Sequence, residues 1–241
     1  MRIVTLVIAL LFTAKVAAET VYVTSLVWPP YSDSQMKELG ASIAVAKAAF
    51  SAMGHELVVE FYPWSRAVNL AEKEDSKYIG YLPEYFFESD KFVFSNPMGK
   101  GPLGLVESVS SPISWSSYDD LNAYTIGVVQ DYVNTEELDA KIASGEINAQ
   151  TVTSDDKNLL KVAAGRINAA VIDANVFRYM VENDKALAKV ADKLQMNPKL
   201  LVEKDLHIAF KNSAEGKRWQ AIFNEGLEKI DVDAVMADYL K

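Results

Sequence analysis

Asp173 closes an apolar run, Ala169-Ala-Val-Ile172, and stands directly before a predicted helix. A carboxylate at that point either caps the helix through its free amides or meets a cationic group in a cleft. Tyr31 follows Trp28-Pro29-Pro30 at the end of another predicted strand. Open α/β sheets bind ligands beyond such strand ends, so this ring either lies on a ligand or caps its own turn. Trp64 and Arg66 open a helix behind Pro63. Helix N-termini attract anionic groups and Arg offers a planar fork, whereas core packing and a surface ion pair are the plainer roles. Gln130, Asn134 and Thr135 sit at a predicted strand-to-helix turn, suited to a polar ligand end or to ordinary N-capping. Glu84, after the run Lys77–Tyr81, is the best placed candidate general acid. These residue types support polar recognition better than bond-making chemistry.

Other chemistries are disfavoured. There is no cysteine, hence no disulfide, thiolate ligand or cysteine nucleophile. The two histidines, His55 and His207, are isolated, so neither a metal centre nor a Ser-His-Asp set is expected. No cofactor is expected either, because no nucleotide fingerprint is present. Gly99-Lys-Gly-Pro-Leu-Gly104 lacks the spacing and the Ser or Thr of a phosphate loop, and reads as loop or hinge. With 24 Lys and Arg against 33 Asp and Glu, the net charge of −9 argues against nucleic acid as a partner. The 241 residues, 50% hydrophobic and 24% charged, are ordinary globular composition, enough for one large domain or two lobes.

The elements that must position these residues alternate along the chain. Thr20–Val27 alternates apolar and polar residues as a strand. Leu39, Ile43, Ala46, Phe50 and Met53 form one helical face closed by Gly54. Predicted strands follow at 56–61, 77–81, 124–129, 168–172 and 207–210, with a short extended segment at 92–94. Helices are predicted at 64–73, from Asn134, from Ser154, and over 174–182, 213–230 and 233–240. This alternation predicts an α/β protein with mostly parallel sheets. At the start, Met1-Arg2, an apolar run to Phe12 and Val16-Ala-Ala18 have the form of a cleaved export signal over 1–18. The apolar run is short of the ~20 residues that span a bilayer, and no later run reaches it, so no membrane insertion of the mature chain is expected. With no cysteine after the signal, a lipid anchor is not expected, and the periplasm is the expected location.

The order of Trp28-Pro-Pro-Tyr31, Tyr62-Pro-Trp-Ser-Arg66, Phe94-Ser-Asn-Pro97, Ile126-Gly-Val-Val-Gln130 and Ala164-Gly-Arg-Ile-Asn-Ala-Ala-Val-Ile-Asp173 resembles the periplasmic solute-binding proteins of ABC transporters, in the family of the polar amino-acid receptors. The resemblance implies a two-lobed type II periplasmic-binding-protein fold, with two hinge crossings and a ligand cleft between the lobes. Lobe I would be 19–108 and 206–241, lobe II 109–205, with crossings near Val106–Val109 and Lys204–His207. It implies a monomer that carries a small polar solute to a transporter permease. In similar receptors Tyr31 lies against the ligand, Asp173 meets its ammonium group, and the stretch holding Tyr81, Glu84 and Tyr85 lines the floor of the first lobe. Two positions depart from the pattern. Glu88 stands where those receptors carry the Arg that clasps an α-carboxylate, and Asp131 stands where they carry Gly. A standard α-amino acid then requires Arg66 as a substitute. Two alternatives are an enzyme of dehydratase type on the same fold and a ligand-sensing partner of a membrane sensor.

Overall fold

The computed structural model describes residues 18–240. The segment read as an export signal lies outside the described residues, except for Ala18. The chain runs β1 (Thr20–Ser25), α1 (Ala41–Ala52), β2 (Glu56–Phe61), α2 (Trp64–Glu72), β3 (Gly80–Tyr85), β4 (Phe92–Phe94) and β5 (Lys100–Ser108). It continues β6 (Thr125–Val129), α3 (Glu136–Ser144), β7 (Asn148–Val152), α4 (Asp155–Ala163), β8 (Ala169–Asp173), α5 (Ala174–Asn183), β9 (Leu194–Met196), β10 (Val202–Lys211), α6 (Ala214–Leu227) and α7 (Val232–Ala237).

The strands follow the order β2-β1-β3-β10-β5-β8-β6-β7, with β4 beside β10 and β9 beside β5. One block is β2, β1 and β3, parallel to one another. The other holds β7, β6 and β8, also parallel. The joints between them are antiparallel. Strand β10 pairs through Leu206–Lys211 with β3 and β4, and through Val202–Asp205 with β5. Parallel pairing is therefore confined to the two blocks, because parallel neighbours need a helical crossover and the joining strands have none. Strand β5 already pairs with β8 from Leu103 to Glu107. Residues 103–108, expected in the first lobe, thus hydrogen-bond within the second block.

The helices form for the reasons the apolar spacing gives. Ile43, Ala46 and Phe50 of α1 are fully buried. Phe50 meets Trp219 and Phe223 of α6 at ring distances of 6.0 and 5.2 Å. Asp173, Thr135, Ser213 and Asp231 each accept an amide at the start of α5, α3, α6 and α7. No helix among the described residues is long and apolar enough to cross a membrane.

Several sequence expectations shift. The third strand starts at Gly80, not Lys77, so Tyr81, Glu84 and Tyr85 lie within it rather than after it. The Gly99–Gly104 stretch is not a loop: from Lys100 it is strand. Strand β7 was not anticipated. Its residues are largely exposed, and it is held mainly by backbone pairing to β6, which leaves no apolar alternation to read.

Gly226 allows α6 to lie against α1, since a Cβ there would sit 2.3 Å from the Ala49 carbonyl oxygen. Gly226→Ala gains helix propensity but forces the two backbones apart, so a net loss of about 1–2 kcal/mol is expected. A fall in Tm of several degrees by calorimetry checks it; an unchanged Tm contradicts the close approach.

Candidate functional site

The two blocks meet through side chains at the carboxyl ends of their parallel strands. Tyr31, in the turn after β1, is fully buried. Its hydroxyl donates to the Asp173 carboxylate, at 3.3 Å from Oδ1 and 3.2 Å from Oδ2, and lies 3.3 Å from the Lys100 carbonyl oxygen. Asn175 Nδ2 donates back to the same hydroxyl at 2.9 Å. Trp28 stacks on Tyr31 at 4.8 Å, and its indole favours the charged form of Asp155 at the start of α4. Trp64, at the start of α2, donates through Nε1 to the Asp131 carbonyl at 3.0 Å, and the neighbouring Ser65 hydroxyl bonds the Asp131 carboxylate. Apart from the stack of Trp28 on Tyr31, these contacts join one block to the other.

Trp28, Trp64, Glu84, Tyr85 and Tyr132 line the space left between, with Leu26, Pro83, Val133 and Leu206. The rings form two perpendicular pairs: Trp28 with Tyr85 at 6.1 Å and Trp64 with Tyr132 at 6.0 Å. The space is about 30 Å³. A wider depression of about 1080 Å³ beside Lys77 and Lys211 is surface, and its lysines at 77 and 91 are already paired with Glu60 and Glu72.

The structure brings Tyr31 to Asp173, and Trp64 to Tyr81 at a ring distance of 5.3 Å. Tyr81 in turn donates to Glu84 at 3.2 Å. Arg66 is not with them. It is exposed, with its guanidinium 5.2 Å from the Tyr62 ring centroid. Gln130 is exposed as well. Asn134 is buried but turned to its own helix, bonding Asp139 through both its amide and its side chain. Thr135 caps α3 through Leu138 N and donates to the Tyr118 hydroxyl. Glu88 is exposed. The residues at the seam that sequence reasoning did not offer as site residues are Trp28, Tyr132 and Asp155; Asp131 was noted only as a departure from the family pattern. Ser154-Asp155-Asp156 carried a signal for a helix start, but nothing in it says that Asp155 faces another lobe. Asp131 sits at φ 62, a left-handed backbone that Asp tolerates and Gly adopts freely, which accounts for its place in the turn.

No protein-family model matches the sequence, and neither does any curated protein. Solved structures do match. A histidine kinase sensor domain with similarity to periplasmic binding proteins superposes with a TM-score of 0.77 at 18% identity, over 91% of this chain and 95% of that one. An amino-acid ABC transporter substrate-binding protein from Streptococcus pneumoniae bound to L-arginine gives 0.69 at 16% identity, over 92% and 94%. An ancestral amino-acid-binding protein, a precursor of cyclohexadienyl dehydratase, gives 0.70 at 17%, over 92% and 95%. The chain has the type II periplasmic-binding-protein fold.

In this binding-protein fold the interlobe seam is where the chain concentrates its buried charge. Asp173, Asp155 and Glu84 are each buried, and among the described residues none forms an ion pair. Burial pushes Glu84 up to about 8, against the opposing bonds from the Tyr85 amide and the Tyr81 hydroxyl. Burial pushes Asp155 up to about 7, and the Asp173 charge adds to it. Burial likewise pushes Asp173 up to about 7, although the Val176 and Asn175 amides favour its charge. Gly101 allows Asp173 its position, because a Cβ there would meet Asp173 Oδ2 at 2.1 Å. Lys204 is the cation nearest by: its Nζ lies 5.0 Å from the Tyr85 ring centroid, and burial lowers its own pKa.

These three carboxyls hold protons in the folded protein that the unfolded chain releases near its ordinary values of 3.8 and 4.5. Their contribution to stability is therefore full in acid and is lost as pH rises through about 7 to 8. Tm is expected to fall between about pH 5 and about pH 8.5, and Asp155→Asn is expected to reduce that fall by several degrees. Calorimetry across pH checks both; a Tm that rises through neutrality contradicts them.

Proposed function

We propose that this protein is an extracytoplasmic solute receptor that closes its two lobes on a small polar, amine-bearing ligand and delivers it to an ABC importer. The observation that carries the reading is the Tyr31–Asp173 bridge. An aromatic hydroxyl from one lobe and a carboxylate from the other converge on one point at the carboxyl ends of the strands, where α/β sheets bind ligands. A ligand that contacts both lobes stabilises the closed arrangement by its differential affinity for it. The acidic seam favours a cationic group, and the relative bound to L-arginine supports that chemistry by analogy of fold. In this reading the signal over 1–18 is cleaved, the mature chain acts as a monomer in the periplasm, and a membrane permease reads the closed state. The first lobe comprises the block of β1–β4 with the end of β10, and the second the block of β5–β9.

Two further readings each rest on one observation. A buried Glu84 held protonated near neutrality is suited to general acid work, and a precursor of a dehydratase is among the matched structures. A histidine kinase sensor domain is also among them, which fits a sensing partner in place of a permease.

A thermal-shift and calorimetric screen of amino acids, amines and small peptides tests the receptor reading. At least one class is expected to raise Tm by several degrees, to leave the reaction mixture chemically unchanged, and to reduce the radius of gyration in solution scattering. Stabilisation by none of them, with folded protein in the cell, overturns the reading; appearance of a product favours the enzyme. Tyr31→Phe, which keeps the ring and removes the donor, is expected to weaken binding by about tenfold.

A further inference from the structure

Three carboxylates, not one, converge on the seam. Glu84 stands at one end of the space, held by the Tyr85 amide at 2.7 Å and the Tyr81 hydroxyl at 3.2 Å. Asp155 and Asp173 form a pair that feel one another's charge, one layer behind Trp28 and Tyr31. Tyr85 connects the two ends. Its ring lines the space, and its hydroxyl, 93% buried as a residue, has no hydrogen-bond partner while feeling Asp173, Asp155 and Glu84 together. A buried hydroxyl without a partner marks a place for a polar atom that the side chains do not supply.

What recognises a ligand carboxylate is missing. No Lys or Arg lines the space among the described residues. Arg66 lies on Tyr62, Arg178 bonds the Leu240 carbonyl, Arg218 pairs with Glu19, and the exposed Glu88 stands where an Arg would serve. A ligand carboxylate brought here would meet three acids and one lysine, Lys204, which lies on the Tyr85 ring and already faces Glu84. The walls between the two acidic ends are aromatic faces, suited to methylenes and to ammonium groups.

We propose, building on the receptor reading, that the ligand is an aliphatic diamine without a carboxylate, with one ammonium on Glu84 and the other on the Asp155–Asp173 pair. As the lobes close on the ligand, its second ammonium joins the Tyr31 hydroxyl as a partner of the pair, and the methylenes lie along Trp64 and Tyr85. The ammonium ions enter charged and the carboxyl protons leave to solvent, so binding releases protons. The raised carboxyl pKa values of the seam support this exchange. The other charges facing the three acids are Lys204 at Glu84, Asp156 at Asp155 and Arg178 at Asp173.

Titration calorimetry with putrescine, n-butylamine and L-ornithine isolates the claim, because the three share a short methylene chain and differ in their end groups. Putrescine is expected to bind at least about tenfold more tightly than either, and more tightly at about pH 8 than at about pH 6, with proton release read from two buffers of different ionisation enthalpy. Glu84→Gln and Asp155→Asn are each expected to weaken putrescine by about tenfold or more and to reduce the protons released. Circular dichroism confirms that each variant folds, and Glu84→Gln, nearly isosteric, stands alone if Asp155→Asn does not. Ornithine binding as tightly as putrescine overturns the diamine while the receptor reading stands. Putrescine binding equally to wild type and both variants overturns the assignment of its ammonium groups. Binding of no amine and no amino acid overturns both.

Discussion

A carboxylate removed from water must find either a proton or a cation, and this structure places three of them in one seam. Asp155, Asp173 and Glu84 are buried with hydrogen bonds but without ion pairs, and burial outweighs those bonds in setting their pKa values. Most other features near the seam serve that arrangement. Gly101 leaves space for the Asp173 carboxylate, and the first amides of α5 hold it in place. The aromatic rings of Trp28, Tyr31 and Tyr85 keep solvent from the acids while offering them N–H and O–H donors at the edge.

The joints explain why a seam exists. Each block has its own parallel strands and covering helices, and each is apolar within. They share only strands β5 and β10, which pass from one block towards the other in antiparallel pairing. Two strands are a narrow connection for about 220 residues of chain, so the remaining contact between blocks is made by side chains from loops and helix starts. Contacts of that kind form and break more easily than sheet pairing, which is the mechanical requirement for a jaw. The proposed receptor function uses this property, and the sensor and enzyme readings would use it as well. Fold similarity at this level of identity does not choose among them.

The matched structures carry different roles on one framework, so the distinguishing features lie in the residues. Here Glu88 and Arg66 are both exposed, Arg66 lies on the Tyr62 ring, and Asp131 uses its backbone carbonyl and its carboxylate to hold Trp64 and Ser65. Among the described residues the seam gathers three buried carboxyls and lines its space with no Lys or Arg. That excess of acids is the physical basis for reading the ligand as an amine rather than as an amino acid.

Much of this was legible in the sequence. Apolar periodicity placed most of the helices and the buried strands, because burial of one face leaves a pattern of period 3.6 or 2. The proline turn marked Tyr31, and the apolar run marked Asp173, since both lie at strand ends that the pattern itself defines. What the sequence did not carry is anything decided by contact between distant segments. Strand β7, largely exposed and held mainly by its backbone, left no pattern to read. Asn134 and Thr135 looked like ligand residues and turn to their own helix, while Asp155 looked like part of a helix start and feels the charge of Asp173 at the seam. Local sequence determined which residues stand at the ends of elements. Only the docking of the two blocks decided which of those ends face one another, because hydrogen bonds and desolvation act through space and the chain's order does not encode that distance.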